Sequence, residues 1–81
     1  MKPATRVQLA AEQLGGEYYT SKRGVPIVIL TLPDGSQGNL CYFGRKQTWR
    51  WFYPSWRFDV EPSRTDFGSL ENFAEFWEGE A

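Results

Sequence analysis

The order of local patterns constrains this chain more than any other feature. Five short runs rich in β-branched and aromatic residues, separated by turn signals, lie between two segments with helical periodicity. The connections are short, which favours pairing between consecutive strands. The order α-β-β-β-β-β-α therefore predicts an α+β domain: an antiparallel meander sheet or small barrel of about five strands, flanked by an N-terminal and a C-terminal helix.

Both ends of the chain carry helical signals. A helix is predicted over residues 3–14, where Thr5 and Gln8 can form a capping box and Gly15-Gly16 supplies the left-handed positions that end a helix. Ser69 is a good N-cap for a closing helix. The apolar faces of the two helices are formed by Val7, Ala10, Ala11 and Leu14, and by Leu70, Phe73, Ala74 and Trp77.

The strands are expected where side-chain alternation and turn residues coincide. In the fourth run, Trp49, Trp51 and Tyr53 share one face and Arg50 and Phe52 share the other. Alternation alone leaves open which of these two faces points outward. The second run is apolar at both alternating sets of positions, so both of its faces should be buried. The five runs are 17–21, 25–32, 38–43, 48–53 and 56–61, with a polar loop expected over 62–68.

Size and composition point to one small domain spanning residues 1–81. The chain is 41% hydrophobic and 23% charged with a net charge of −1, which is typical of a globular domain. Aromatic residues make up 17% of it and can compensate for the short chain. The single cysteine, Cys41, allows no intrachain disulfide, and neither a leader pattern nor an apolar run of membrane-spanning length is visible. We therefore expect a cytoplasmic protein without a membrane segment.

Several kinds of chemistry lack their usual residues. The chain has no His, so Ser-His and Cys-His mechanisms are excluded, and one Cys is too few for a zinc site. No glycine pattern precedes a helix in the manner of a phosphate-binding loop. The carboxylates Asp59, Glu61 and Asp66 lie within one segment and could converge on a metal or a sugar, which leaves carboxylate chemistry formally open. Acids of loops and strand surfaces are usually solvated, so we interpret these three as surface groups. The sequence thus predicts a protein that is not an enzyme and that holds no cofactor and no metal.

Charge is divided unevenly along the chain. Residues 1–58 carry eight Lys or Arg and three acids, a net +5, whereas residues 59–81 carry one Arg and seven acids, a net −6. Glu71, Glu75 and Glu78 recur every three or four residues and should line one face of the last helix. Such a strip is either a solvated face or a negative surface for a basic partner.

The segment 45–57 combines four cations with five aromatic rings. Bases stack on rings while cations neutralise phosphates, so single-stranded nucleic acid is one candidate ligand. Trp and Arg are also enriched at protein interface hot spots. A third interpretation places the Trp side chains in the core, with Arg50 and Arg57 stacked over them or paired with Asp59 and Glu61.

Taken together, the small size, the missing catalytic chemistry, the dense aromatics and the split charge resemble the small inhibitors encoded by phages and other mobile elements. Anti-CRISPR proteins are the best-known group of these. The resemblance is one of overall profile and involves no shared motif. It implies a non-enzymatic inhibitor that binds a host nucleic-acid-targeting complex and blocks its groove or its assembly. The alternatives are a small β domain for single-stranded nucleic acid and a structural or assembly component of a phage or host complex.

A monomer is the favoured oligomeric state. The residues expected to contact the partner are Arg45, Lys46, Arg50, Trp51, Arg57, Glu71, Glu75 and Glu78.

Overall fold

The computed structural model describes residues 2–55 and 61–80 and confirms the α+β domain expected from the sequence. The five strands form one open sheet in the order β1-β2-β3-β4-β5, and every neighbouring pair is antiparallel. Of the two architectures expected, it is therefore the meander sheet that is observed. The elements are α1 (Pro3–Leu14), β1 (Glu17–Thr20), β2 (Pro26–Thr31), β3 (Gln37–Phe43), β4 (Thr48–Tyr53), β5 (Ser63–Phe67) and α2 (Leu70–Glu80).

The fifth strand differs from the expected one. Strand β5 occupies Ser63–Phe67, where the sequence predicted a polar loop, and it pairs with β4 so that Arg50 faces Asp66. A strand at the edge of a sheet can keep most of its side chains in water, so its sequence needs no apolar alternation. Four of its five residues are exposed, and Phe67 is half-buried. The strand expected at 56–61 falls largely outside the described residues.

Helix α1 has the predicted bounds but not the predicted cap. Its N-cap is Lys2, which makes no side-chain capping hydrogen bond, and Pro3 occupies the first helical position. The expected capping box of Thr5 and Gln8 is wrong, because both residues already lie inside the helix. At the other end Gly15 adopts φ 71°, the left-handed conformation predicted there.

Helix α2 begins as the sequence predicts. The Ser69 hydroxyl accepts a hydrogen bond from the backbone N–H of Asn72 at 3.1 Å and so satisfies one of the free donors of the first turn. Neither helix of the described chain is long and apolar enough to cross a membrane.

The two helices pack on the same side of the sheet, which we call the inner face. Trp51 lies 5.3 Å from Phe73 and 5.8 Å from Trp77 between ring centroids, so strand β4 and helix α2 share one aromatic cluster. Gly38 on the neighbouring strand gives the Trp51 indole room, since a Cβ there would overlap it. The buried core on this face consists of Val7, Ala10, Ala11, Val28, Leu30, Leu40, Trp49, Trp51 and Phe73.

On the opposite side, the outer face, a smaller apolar cluster is formed by Ile27, Ile29 and Cys41 with Phe52 packed against it. Strand β2 contributes to both faces and has four consecutive buried residues, as its doubly apolar pattern predicted. A buried polar pair also lies on this side: the Ser55 hydroxyl donates to Asn39 Oδ1 at 3.0 Å.

Candidate protein-docking surface

The meander topology gathers positive charge at one end of the sheet. The β1–β2 and β3–β4 turns lie at this end because alternate turns of a meander fall on the same side. Helix α1 also begins here, since the Arg6 guanidinium sits 4.7 Å from the centroid of the Tyr42 ring. We call this region the basic end. Its positively charged residues are Lys2, Arg6, Lys22, Arg23, Arg45, Lys46 and Arg50. Its acidic residues are Asp66 and Glu71.

The opposite end, which we call the acidic end, carries the β2–β3 turn, the end of α1 and the end of α2. Arg64 is placed toward this end by its pairing with Phe52. Glu75 lies midway along α2. The acids at this end are Glu12, Glu17, Asp34, Glu61, Glu78 and Glu80.

The two ends are electrostatically independent. Strand β3, with seven residues, spans about 23 Å at ~3.3 Å per residue. Exposed charges in physiological salt are screened over a distance of ~8 Å, so neither end feels much of the other. A partner approaching the basic end therefore meets a positive surface, although the whole chain has a net charge of −1.

An apolar groove crosses the outer face at the basic end. This outer groove has a volume of about 570 Å³. Tyr19, Val25 and Phe43, which line it, are 39%, 42% and 36% exposed. They are three of the four large hydrophobic residues that are exposed in the described chain, and the fourth, Leu9, is on α1. Its lining consists of Tyr19, Ser21, Lys22, Arg23, Val25, Cys41, Phe43 and Phe52.

Arg50 is held at the border of the outer groove by two contacts. Its Nε lies 2.8 Å from Asp66 Oδ1, and Nη2 lies 3.4 Å from Oδ2, a two-point contact across the β4–β5 pair. The guanidinium carbon also sits 4.2 Å from the centroid of the Phe43 ring. The hydrogen bond from Arg50 lowers the pKa of Asp66 below its usual value. The sequence left open whether Arg50 contacts a partner, stacks over the Trp rings, or pairs with Asp59 or Glu61. In the described chain it pairs with the strand neighbour Asp66 and stacks on the Phe43 ring. Asp59 lies outside the described residues.

Trp51 was predicted to contact a partner, and the structure places it in the core. It is 5% exposed and Trp49 is 3% exposed, because both point from β4 toward the helices. The orientation that the sequence left open is thus the inward one. Phe52, the alternate residue of the strand, faces the outer groove instead.

The remaining predicted residues fall at separate places. Arg45 and Lys46 are exposed in the β3–β4 turn at the basic end, and Arg57 lies outside the described residues. The three glutamates of α2 are all exposed, but they run along the helix from Glu71 at the basic end to Glu78 near the acidic end. They form a lengthwise strip and not a single cluster.

Sequence reasoning missed the outer groove. Its walls come from three strands, and the residues that make it distinctive, Tyr19, Val25 and Phe43, are unremarkable in their own segments. The signal in the sequence was the pair of cations Lys22 and Arg23, separated by Gly24 from the β-branched apolar residue Val25. These residues can be recognised as part of a groove only once the fold places Phe43 of β3 beside them.

Cys41 lies at the floor of the outer groove and is poorly suited to nucleophilic chemistry. It is buried, and desolvation raises the pKa of its thiol to about 11. The Sγ atom lies 3.8 Å from the carbonyl oxygen of Arg50, to which the thiol donates. Since the thiolate is the reactive form, burial of Cys41 disfavours nucleophilic chemistry near neutral pH. Within residues 2–55 and 61–80, no three His, Cys, Asp or Glu side chains are grouped so that they could hold a metal ion.

Comparison of the chain with protein-family models, with curated proteins and with solved structures yields no match.

Proposed function

We propose that this protein is a non-enzymatic, protein-binding inhibitor of a host nucleic-acid-targeting complex, encoded by a phage or mobile element and similar in kind to anti-CRISPR proteins. It would act in the cytoplasm as a monomer, with Cys41 reduced. The observation that carries the proposal is the separation of charge between the two ends of the sheet, with an exposed apolar groove at the positive end.

Charge separated in this way suits a protein that attaches to a large complex. Effector complexes that hold nucleic acid present positive channels for phosphates beside ordinary mixed protein surfaces. The acidic end, with Glu78 and Glu80 at the end of α2, is complementary to such a channel. Electrostatic complementarity of this kind mainly accelerates association, while apolar contacts such as those of the outer groove slow dissociation.

Binding of single-stranded nucleic acid is the second candidate, favoured by the exposed cations of the basic end. The rings that would serve as a stacking platform are differently placed, however. Trp49 and Trp51 belong to the core, and one face of the Phe43 ring carries the Arg50 guanidinium. Stacking on aromatic faces supplies much of the affinity for single strands, so this arrangement favours a protein partner.

The proposal is tested by expressing the chain in cells whose nucleic-acid-guided defence complexes destroy an incoming target plasmid. An inhibitor should restore plasmid survival and should co-elute with the purified effector complex in gel filtration. Charge reversal at the acidic end, Glu78→Lys with Glu80→Lys, should weaken that inhibition. No rescue across a panel of effector types, together with no co-elution, would contradict the proposal.

The nucleic-acid alternative has its own test. Labelled single- and double-stranded oligonucleotides are titrated with the purified chain at about 50 and about 200 mM salt, because phosphate contacts make affinity fall steeply with salt. Salt-steep binding that Lys22→Glu with Arg23→Glu abolishes would support the second candidate. Absence of binding at both salt concentrations would remove it.

A further inference from the structure

We propose that the outer groove is the docking site for a protein segment that presents a large apolar side chain flanked by carboxylates. The proposal rests on the protein-binding function proposed above and specifies the chemistry that the basic end recognises.

The outer groove exposes three large apolar side chains to solvent. Tyr19, Val25 and Phe43 are each more than a third exposed and converge on one groove, although they come from three separate strands or turns. Exposed apolar side chains scattered singly are normal, whereas three that converge on one groove favour an interaction site. The open groove has a volume of about 570 Å³, within the ~300–1,000 Å³ of ligand pockets.

The outer groove also carries positive charge. Lys22 and Arg23 line the groove, and no acidic side chain does so among the described residues. Arg50, at its border, already has its carboxylate in Asp66, whereas Lys22 and Arg23 form no ion pair within the described chain. An apolar side chain entering the groove would therefore bring its flanking residues against these two cations. Carboxylates are the groups that complement them, and the basic end as a whole would steer them there.

Two other occupants fit less well. A nucleobase would stack on a ring face, and one face of the Phe43 ring already carries the Arg50 guanidinium, 4.2 Å from the ring centroid. A second copy of this chain would have to offer its acidic end. The exposed large hydrophobic residues of the described chain are Leu9 on α1 and the three that line the groove, so the acidic end carries no such residue to insert.

An unbiased peptide selection tests the proposal directly. A displayed library of random dodecapeptides is selected against the purified chain and counter-selected against a Val25→Asp variant. Val25 is 42% exposed, so this change should leave the fold intact while placing a carboxylate in the groove. We expect the enriched peptides to share an aromatic or large aliphatic residue next to Asp or Glu. Enrichment of basic peptides, or no enrichment that depends on Val25, would overturn the proposal.

Matched variants then measure separately how much the cations and the apolar side chains of the groove contribute to binding. An enriched peptide is the probe, and its binding is followed by fluorescence anisotropy. Lys22→Glu with Arg23→Glu should weaken binding at least about tenfold and flatten its dependence on salt. Val25→Asp should weaken it by at least about tenfold, and Phe43→Ser should also weaken it. Leu9→Asp, at a position 48% exposed outside the groove, and Arg64→Glu, toward the acidic end, should change it less than about twofold. Equal losses from the control variants would contradict a site at the groove.

Sedimentation equilibrium of the wild-type chain and of Val25→Asp decides the second-copy alternative. Self-association that Val25→Asp abolishes would overturn the proposal in favour of a homodimer, and a monomer at all concentrations agrees with it.

Failure of this inference is distinguishable from failure of the proposed function. If Val25→Asp and Lys22→Glu with Arg23→Glu still rescue the target plasmid fully, the chain is an inhibitor that does not use the groove. If peptides are selected as expected but no effector complex is inhibited, the groove is a docking site and the inhibitory function is wrong.

Discussion

The inner and outer faces of the sheet are made by the same strands, but they differ in how much of their apolar surface is covered. On the inner face two helices cover a continuous core that includes Trp49 and Trp51. On the outer face a cluster of Ile27, Ile29 and Cys41 is buried, yet the apolar surface continues into an exposed groove at the basic end. Neighbouring residues of β4 separate the two roles, since Trp51 packs inward and Phe52 lines the groove.

The comparison teaches that the aromatic residues of the inner face, Trp49, Trp51 and Phe73, serve for stability. In a chain this short, large rings are an efficient means of burying apolar area. The Trp51 ring contacts three aromatic rings, those of Tyr53, Phe73 and Trp77, at centroid distances between 5.3 and 6.4 Å. In the docking site proposed above, the apolar contacts come from exposed residues such as Val25 and Tyr19, which line the outer groove together with Lys22 and Arg23.

The largest expected effect distinguishes Trp51 from its neighbour Phe52. Trp51→Ala should lower the free energy of unfolding by about 3–5 kcal/mol, because it removes the ring on which Phe73 and Trp77 pack. Phe52→Ala, on the half-buried outer position, should cost clearly less. Urea unfolding followed by circular dichroism measures both. Should the alanine variant fail to fold, Trp51→Phe keeps a ring and allows the comparison. Equal losses at the two positions would break the contrast between the faces.

A second prediction concerns the space that the inner face reserves for Trp51. Gly38→Ala should destabilise the protein by about 1–3 kcal/mol, since a Cβ would overlap the indole and also lie close to the Phe52 carbonyl oxygen. Gly44→Ala is the matched control, because a Cβ at Gly44 meets no atom within 4 Å. Thermal and urea unfolding of the two variants should differ accordingly. A neutral Gly38→Ala would show that β3 and the indole can move apart.

On the outer face the strongest internal constraint should be polar. Ser55→Ala removes the hydroxyl that donates to Asn39 Oδ1 and leaves that buried oxygen unsatisfied, at a cost of about 1–3 kcal/mol. Ser63→Ala, which deletes an exposed hydroxyl bonded to the Tyr53 carbonyl, should cost less. The measurement is again equilibrium unfolding in urea. A loss at Ser63 as large as the loss at Ser55 would argue against a buried polar pair.

The smallest effect is expected for the ion pair at the border of the outer groove. The pKa of Asp66 is lowered in the folded state, so this carboxylate stabilises the fold above its unfolded pKa. That contribution is lost as the pH falls through the folded pKa of Asp66. The difference in unfolding free energy between wild type and Asp66→Asn should therefore shrink as the pH falls from neutral to below the ordinary aspartate pKa of ~3.9, and it should also shrink with added salt. If the difference in unfolding free energy between wild type and Asp66→Asn stays constant with pH, the Asp66 carboxylate does not stabilise the fold through its charge.

Local sequence patterns predict much of the fold. The bounds of α1, the Ser69 cap of α2 and the doubly buried strand β2 follow from periodicity and capping residues alone. Strand β5 does not, because an edge strand of Ser, Arg, Thr and Asp looks like a loop until β4 pairs with it. The capping box failed for a related reason, since Lys2 and Pro3 start the helix before Thr5 is reached.

By itself the sequence determined the class of the fold and the division of the chain into a positive part and a negative part. Helix periodicity, strand alternation and the net charge of a segment can all be read from residues that are close together in the sequence. Tertiary structure decided which charges meet. The acids Glu12, Glu17 and Asp34 belong to the positive half of the chain but lie at the acidic end of the molecule. Strand pairing joins residues far apart in sequence, such as Arg50 with Asp66, and reversals of chain direction carry distant turns to one end.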